Sequence, residues 1–416
     1  MSGLMDLQVE QGCPQCGASV EFIETDHVLH CGFCGGRNFL RSDSPFRFVL
    51  PMAGRASSAG LLLAPYLRFK GTIYLVTDKG IEHRVIDTTQ AANPMPGLPP
   101  SLGLRPQAMR LIRINPEAGN LYLPQTLKAS TILEKAASVG NLTAQVSGTL
   151  CHRAYIGEQL SYIYLPLVVK DQGVYDGVTD TRLLELDQLS GSSVQGKRYD
   201  EAWRVQFLAT LCPQCGAGLE GAGDCQVMTC ATCHTAWALG PKGLTGVDWQ
   251  VHPGNGETAL YLPFWKVSTH IPALNIYSFA DFIECSNQPF LPKPQWHDRI
   301  LSLWIPAVKL RPKIFLQVGR QVTLGQWLIK PEEGRVRPNL FPVTLPSSEA
   351  RQAVKLMLAA ATASPRRIFP HLPQVRLTEV TLQLIYLPFV NKGHDWVQPE
   401  TGVAIGKNIL RFGRSL

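Results

Sequence analysis

Cys13-Pro14-Gln15-Cys16-Gly17-Ala18 opens a cysteine pattern that closes, fourteen residues after Cys16, with Cys31-Gly32-Phe33-Cys34. The pattern returns as Cys212-Pro213-Gln214-Cys215-Gly216-Ala217 and, after an identical spacer, Cys230-Ala231-Thr232-Cys233. A C-x2-C turn points two sulfurs at one centre. Two such turns on neighbouring hairpins supply the four thiolates that a filled-shell divalent ion takes in tetrahedral array. Each pattern therefore predicts a small ribbon closed around one Zn2+, with no coordination position left open for chemistry. A ribbon this small buries little apolar surface, so the metal supplies much of its folding free energy. The predicted cofactors are two structural Zn2+, held by Cys13, Cys16, Cys31 and Cys34 and by Cys212, Cys215, Cys230 and Cys233; iron in the same thiolates stays open.

Other readings of these cysteines are weaker. Cys230-Ala231-Thr232-Cys233-His234 has the form of a haem-attachment string, but the matching position of the first ribbon is Gly35. A redox C-x-x-C is outweighed by two pairs at metal spacing. Of the remaining thiols, Cys225 falls in the second ribbon loop and Cys285 reads as a core thiol. Cys151-His152 could be imagined as a nucleophile and base, yet neighbours in a strand point to opposite faces.

Matched ribbons invite a search for wider self-similarity, and it succeeds along the chain. Ala64-Pro65-Tyr66-Leu67-Arg68-Phe69-Lys70 matches Leu262-Pro263-Phe264-Trp265-Lys266, and Leu104-Arg105-Pro106-Gln107 matches Leu310-Arg311-Pro312-Lys313. Asn120-Leu121-Tyr122 matches Asn339-Leu340-Phe341, and Ile163-Tyr164-Leu165-Pro166 matches Ile385-Tyr386-Leu387-Pro388. The order is kept while the offset drifts from 198 (Pro65 to Pro263) to 222 (Ile163 to Ile385). The expected architecture is a tandem duplication of a zinc ribbon plus a β-rich, mainly antiparallel body with one main helix, an α+β fold. Its segments are ribbon 1 (1–45), body 1 (46–189), a linker (190–205) containing the Ser190 to Lys197 run, ribbon 2 (206–245) and a basic body 2 (246–416). Strands are expected over Thr72 to Thr77, Ile81 to Thr88, Tyr162 to Val169 and Arg182 to Leu186. The helices are expected over Thr126 to Ser138 and Ser348 to Ala363. Proline inside an apolar strand removes a ladder donor, so the Y-L-P sites predict an edge, a bulge or a strand end. Tyr66, Phe264 and Trp265 read as core, with a ligand-facing role the lesser alternative.

Composition limits the class. The 416 residues are 45% hydrophobic and 17% charged, enough for real cores and against wholesale disorder. No N-terminal stretch has the basic head and apolar core of an export signal, and no apolar run reaches the ~18–20 residues of a membrane helix. With thiols kept for metal, a cytoplasmic location is expected.

The net charge of +7 is uneven, because residues 1–200 carry 18 basic and 18 acidic side chains. Residues 309–376 hold twelve Lys and Arg against three acids. This basic stretch, with Arg311, Lys313, Arg335, Arg337, Arg366 and Arg367, is a solvated face or a surface for an anionic partner, whether nucleic acid, phospholipid head groups or acidic protein. The ribbons are poor candidates for nucleic acid. Neither Met1 to Gly36 nor Cys212 to Gly240 contains a single Lys or Arg, and phosphate contacts need them. Phosphate-loop, dinucleotide, H-E-x-x-H and G-x-S-x-G motifs are all missing, so nothing argues for an enzyme.

The C-P-x-C-G ribbon followed by a Y-L-P-F-W-K segment resembles a group of bacterial zinc-ribbon proteins of uncharacterised role; with the primosomal helicase only the ribbon is shared. The expectation is a non-catalytic interaction or assembly protein with a protein partner. The alternatives are nucleic-acid binding through residues 309–376, and an enzyme with a cleft between the duplicated bodies.

Overall fold

The computed structural model describes residues 7–52, 60–127, 148–185, 195–240, 243–254, 259–329, 332–333, 337 and 339–412. The fold is α+β and rich in strands, as expected. Two compact units divide the chain: residues 1–70, 86–145 and 158–209 form one, and residues 71–85, 146–157 and 210–416 the other. The expected boundary at 190–205 thus falls instead after Ala209, and two segments assigned to body 1 belong to the second unit. The expected helix at 126–138 lies almost wholly outside the described residues, as does the start of the linker.

In the first unit the ribbon consists of two hairpins. One pairs β1 (Gln8–Gly12) with β2 (Ser19–Ile23), and the other pairs β3 (Val28–His30) with β4 (Arg37–Arg41). The body follows with β5 (Phe46–Val49), β6 (Leu62–Thr77), β7 (Gly80–Ala91), β8 (Leu111–Arg113), β9 (Leu121–Tyr122), β10 (Leu150–Lys170), β11 (Gly173–Asp176) and β12 (Arg182–Glu185), of which residues 71–77, 80–85 and 150–157 are counted with the second unit. Its sheet runs β12-β11-β10-β5-β8-β1-β2, with β6 on β10, β7 and β9. The expected strands at 72–77 and 81–88 are the ends and middles of much longer ones. A last strand, β13 (Gln206–Ala209), returns to lie antiparallel on β4, Phe207 opposite Leu40.

In the second unit β14 (Val227–Thr229), β15 (Ala236–Gly240) and β16 (Gly243–Val247) form the ribbon sheet. The body sheet contains β17 (Trp249–Val251), β18 (Leu260–His270), β19 (Ser302–Pro306), β20 (Glu332–Glu333), β21 (Thr378–Lys392), β22 (Asp395–Val397) and β23 (Ala404–Gly406). Three helices of this unit matter here: α1 (Phe279–Cys285), α2 (Pro312–Leu324) and α3 (Ser347–Ala360). The third is the expected helix, within a few residues. The second was not expected, although Pro312 at its first position has the fixed φ that starts helices and Phe315, Val318 and Val322 bury one face. Gly319 lets it lie close to the sheet, because a Cβ there would meet Met357 Cε and come within 3.0 Å of the Trp304 carbonyl oxygen.

The Y-L-P prolines correct an expectation. Pro65, Pro166 and Pro263 lie inside long strands, not at their ends, and each marks where the neighbouring strand stops. The Pro65 carbonyl accepts from Ala92 N–H, one residue past β7. Pro166 accepts from Gly177, one past β11, and Pro263 from Ala307, one past β19. A residue without an N–H is tolerated there because the next donor position has no ladder to join. The aromatics beside them are core: Tyr66, Phe264 and Trp265 are fully buried, and such side chains each stabilise by roughly 1.5–3 kcal/mol. The polar tips are satisfied, Tyr66 Oη donating to the Pro99 carbonyl and Trp265 Nε1 to that of Leu345, both at 2.8 Å.

Corresponding motifs occupy corresponding places in the two units. Leu50 N–H donates to Tyr164 O at 3.0 Å where β5 runs parallel to β10, and His252 N–H donates to Tyr386 O at 2.8 Å where β17 runs parallel to β21. Tyr122 pairs in parallel with Leu63, as Leu340 does with Tyr261. Here the alignment is one residue away from the sequence match, which placed Leu340 on Leu121.

Candidate metal centres

Each ribbon brings its four cysteines together, with all ligand sulfurs of a tetrad within 4.8 Å of one another. In the first, Sγ of Cys13 and Cys34 are 3.8 Å apart and those of Cys16 and Cys31 3.7 Å. In the second, Cys212–Cys233 and Cys215–Cys230 are both 3.5 Å. Four thiolates about 2.3 Å from a central ion sit at tetrahedral edges of about 3.8 Å, so the donor set fits such an ion. Disulfide sulfurs would be at about 2.05 Å, and every cysteine is a free thiol.

Backbone hydrogen bonds build the four cysteine turns alike. Gly17 N–H donates to Cys13 O, Gly35 to Cys31, Gly216 to Cys212 and His234 to Cys230, all at 2.8–2.9 Å. Closing the turn requires a left-handed residue after the second cysteine. Three turns place glycine there, with φ of 75°, 70° and 76°. The fourth uses His234 at φ 54°. This histidine is the last letter of the haem-like string, and it serves backbone geometry while both neighbouring thiols belong to the tetrad.

The same turns aim N–H groups at sulfur and lower selected thiols. Cys31 is brought down to about 6, first by the backbone N–H of Cys34 and then, against burial, by that of Phe33. Burial opposes ionisation of Cys212, but the Thr235 hydroxyl and the N–H groups of Cys215 and Gln214 bring it to about 6. Ionisation is thus favoured at selected thiols only: against the backbone N–H groups of Ala18 and Ala217, burial and the neighbouring cysteines push Cys16 and Cys215 up to about 12. The surroundings differ between ribbons: Thr235 Oγ1 is 3.1 Å from Cys233 Sγ and accepts from Trp237 Nε1 at 2.8 Å. Its counterpart in the first ribbon is Gly36, whose missing side chain leaves room for Gln15.

The other sequence candidates are scattered. Cys151 Sγ donates to Thr149 O at 3.5 Å, while His152, next to it in β10, has a buried Nε2 with no hydrogen-bond partner among the described residues. Cys225 is fully buried and Cys285 half-buried. Arg311 and Lys313 are exposed at the start of α2, and Arg366 and Arg367 are exposed on the short helical turn Pro365–Ile368. Arg337 is half-buried with its guanidinium 5.9 Å from the Tyr261 ring centre. Arg335 lies outside the described residues.

Sequence reading missed a buried ion cluster in the first unit. Arg68 donates to Glu24 through Nε at 2.9 Å and Nη2 at 2.6 Å, and to Asp87 through Nη1 at 2.6 Å. Only the period-two position of Arg68 between core residues could have flagged it.

No protein-family model matches the chain, and no curated protein or solved structure matches it either. Among the described residues, no helix is long and apolar enough to cross a membrane.

Proposed function

We propose that this chain is a non-catalytic interaction or assembly protein, built by duplication of a unit whose ribbon is fixed by one structural Zn2+. Support for the duplication comes from the paired motifs, the equivalent parallel strands and the equivalent hydrogen bonds to Tyr164 and Tyr386. Support for zinc comes from four sulfurs per site at tetrahedral spacing. No fifth His, Cys, Asp or Glu joins either cluster among the described residues, which favours a structural ion over a catalytic one.

One observation carries the interaction reading. Phe33, in the second cysteine turn of the first ribbon, is 81% exposed. A large apolar side chain held on a metal-braced turn is an anchor of the kind that fills a partner's pocket. The partner is a protein, since the stretch that carries both cysteine turns, Met1 to Gly36, has no Lys or Arg to offer phosphate. The test is Phe33→Ala, followed by chemical crosslinking and sedimentation of the tagged chain from its native host. Loss of a defined complex, with metal content unchanged, is expected. A complex that survives the substitution, or a chain that is solitary from the outset, would defeat the proposal.

A second reading has its own observation. Arg311, Lys313 and Arg320 are exposed on or beside α2 and make no ion pair among the described residues. These are the free cations that binding to a polyanion needs. Retention on DNA or heparin that falls steeply with salt, and is lost on changing all three to Glu, is the outcome that would favour it.

A further inference from the structure

On one face of its body sheet the second unit carries a polar row that continues an apolar stretch. Lys266 and Ser268 share one face of β18, opposite Trp304 and Ser302 of β19 and opposite Gln383 and Thr381 of β21. One step further along the same face, Phe264 and Ile385 are fully buried. A cavity of about 390 Å³ opens over the row, lined also by Arg299 and Gln326. That volume lies at the lower end of the range for small-molecule sites.

Lys266 has no hydrogen bond or ion pair among the described residues. Its ammonium lies 5.9 Å from the Trp304 ring centre. Burial, and then the Arg299 charge, push it below the usual lysine range, with Asp248 opposing weakly. Asp298, exposed at the rim, is the only acid among the described lining residues. The wall thus holds two positive groups and several hydroxyls: Ser268 Oγ and Ser302 Oγ stand 2.8 Å apart, and Thr381 lies beside them. Trp304, itself fully buried, has an indole N–H with no partner among the described residues.

The first unit shows what such a cation needs. Counting from the shared prolines Pro65 and Pro263, Lys266 stands where Arg68 stands. Arg68 is neutralised internally by Glu24 and Asp87. By the equal ribbon spacing, the position of Glu24 is Gly223 in the second copy. This comparison rests on the duplication proposed above; the cavity and its charges stand without it.

We infer that the cavity formed by Lys266, Arg299, Ser268 and Ser302 binds the phosphoryl group of a small anionic ligand. A tetrahedral oxyanion uses donors spread around it, as here, and the lysine and arginine supply charge-assisted hydrogen bonds. A planar carboxylate would use the guanidinium fork and leave the hydroxyl row unmatched.

The test uses the zinc-loaded full chain at constant ionic strength. Inorganic phosphate and phenyl phosphate are titrated by 31P NMR and calorimetry, with acetate and benzoate as the carboxylate arm. Saturable phosphate binding is expected, weakened about tenfold or more by Lys266→Met and by Arg299→Ala, and unchanged by Arg351→Ala, which lies outside this cavity. Arg299 is exposed, so its variant reports even where Lys266→Met fails to fold. Absence of saturable binding, equal binding by the Arg299 variant, or binding of the carboxylates alone would each overturn the assignment.

Discussion

The guanidinium of Arg68 grips both oxygens of the Glu24 carboxylate, at 2.6 and 2.9 Å, with neither side chain more than 1% exposed. Glu24 follows the first hairpin of the ribbon and Arg68 lies in the body, so the contact ties ribbon to body within the first unit. Leu7 N–H also reaches Glu24 Oε1, and Gln159 Nε2 donates to its carbonyl at 2.8 Å. Deleting one partner strands a buried charge. Arg68→Ala is expected to cost about 3–5 kcal/mol in urea unfolding. A cost below about 1 kcal/mol would show that Glu24 and Asp87 find other partners.

Metal content should follow the two tetrads independently. Cys16→Ser is expected to lower zinc from two ions per chain to one, measured by inductively coupled plasma mass spectrometry on protein exchanged into metal-free buffer. Cys225→Ala removes a buried thiol outside both tetrads and should keep both ions. Exhaustive chelation should melt both ribbons, because a ribbon's metal affinity is also its folding energy.

His234 occupies the left-handed position that glycine fills in the other three turns. A Cβ there is unfavourable by roughly 1 kcal/mol. His234→Gly should therefore raise the midpoint of thermal unfolding while zinc stoichiometry stays at two. A lower midpoint would mean that the imidazole contributes more than its backbone costs.

His152 gives a pH dependence with a definite sign. Burial first, and then the Lys355 charge, lower it to about 4 from an ordinary value near 6.5. The unfolded chain therefore binds the proton more readily, so the stability contributed is complete above about pH 6.5 and is lost as pH falls toward 4. Between pH 7 and 5 the loss is expected to be on the order of 1–2 kcal/mol. His152→Gln should flatten that slope in urea titrations at the two pH values; an unchanged slope would place the titrating group elsewhere.

The ribbons were legible from spacing alone, because thiolate geometry leaves few ways to arrange C-x2-C-x14-C-x2-C. Pieces of the body strands were legible from Leu, Ile, Val and Tyr runs, but not their length: residues 72–77 and 162–169 are parts of β6 and β10. The prolines misled, since the ladder partner that ends at Ala91 or Pro306 is set by a distant segment. Helix α2 was hidden by its β-branched residues Ile314, Val318, Val322 and Thr323, which suggest strand until the sheet behind them selects the helical face. Glu24 and Arg68 are 44 residues apart, and the Lys266 row takes its meaning from strands β19 and β21, so neither could be read locally.

Strand β13 completes the first ribbon's sheet from residues 206–209, directly ahead of Cys212. A ribosome must therefore release nearly the whole first half of the chain before β4 gains its last neighbour. Until then the first cysteine tetrad waits on a sheet with an unpaired edge. By the time that edge is covered, the leading cysteines of the second tetrad are next to emerge. Closure of that sheet is thus a late event in the synthesis of the chain, and the delay is set by the length of the body looped out between β4 and β13.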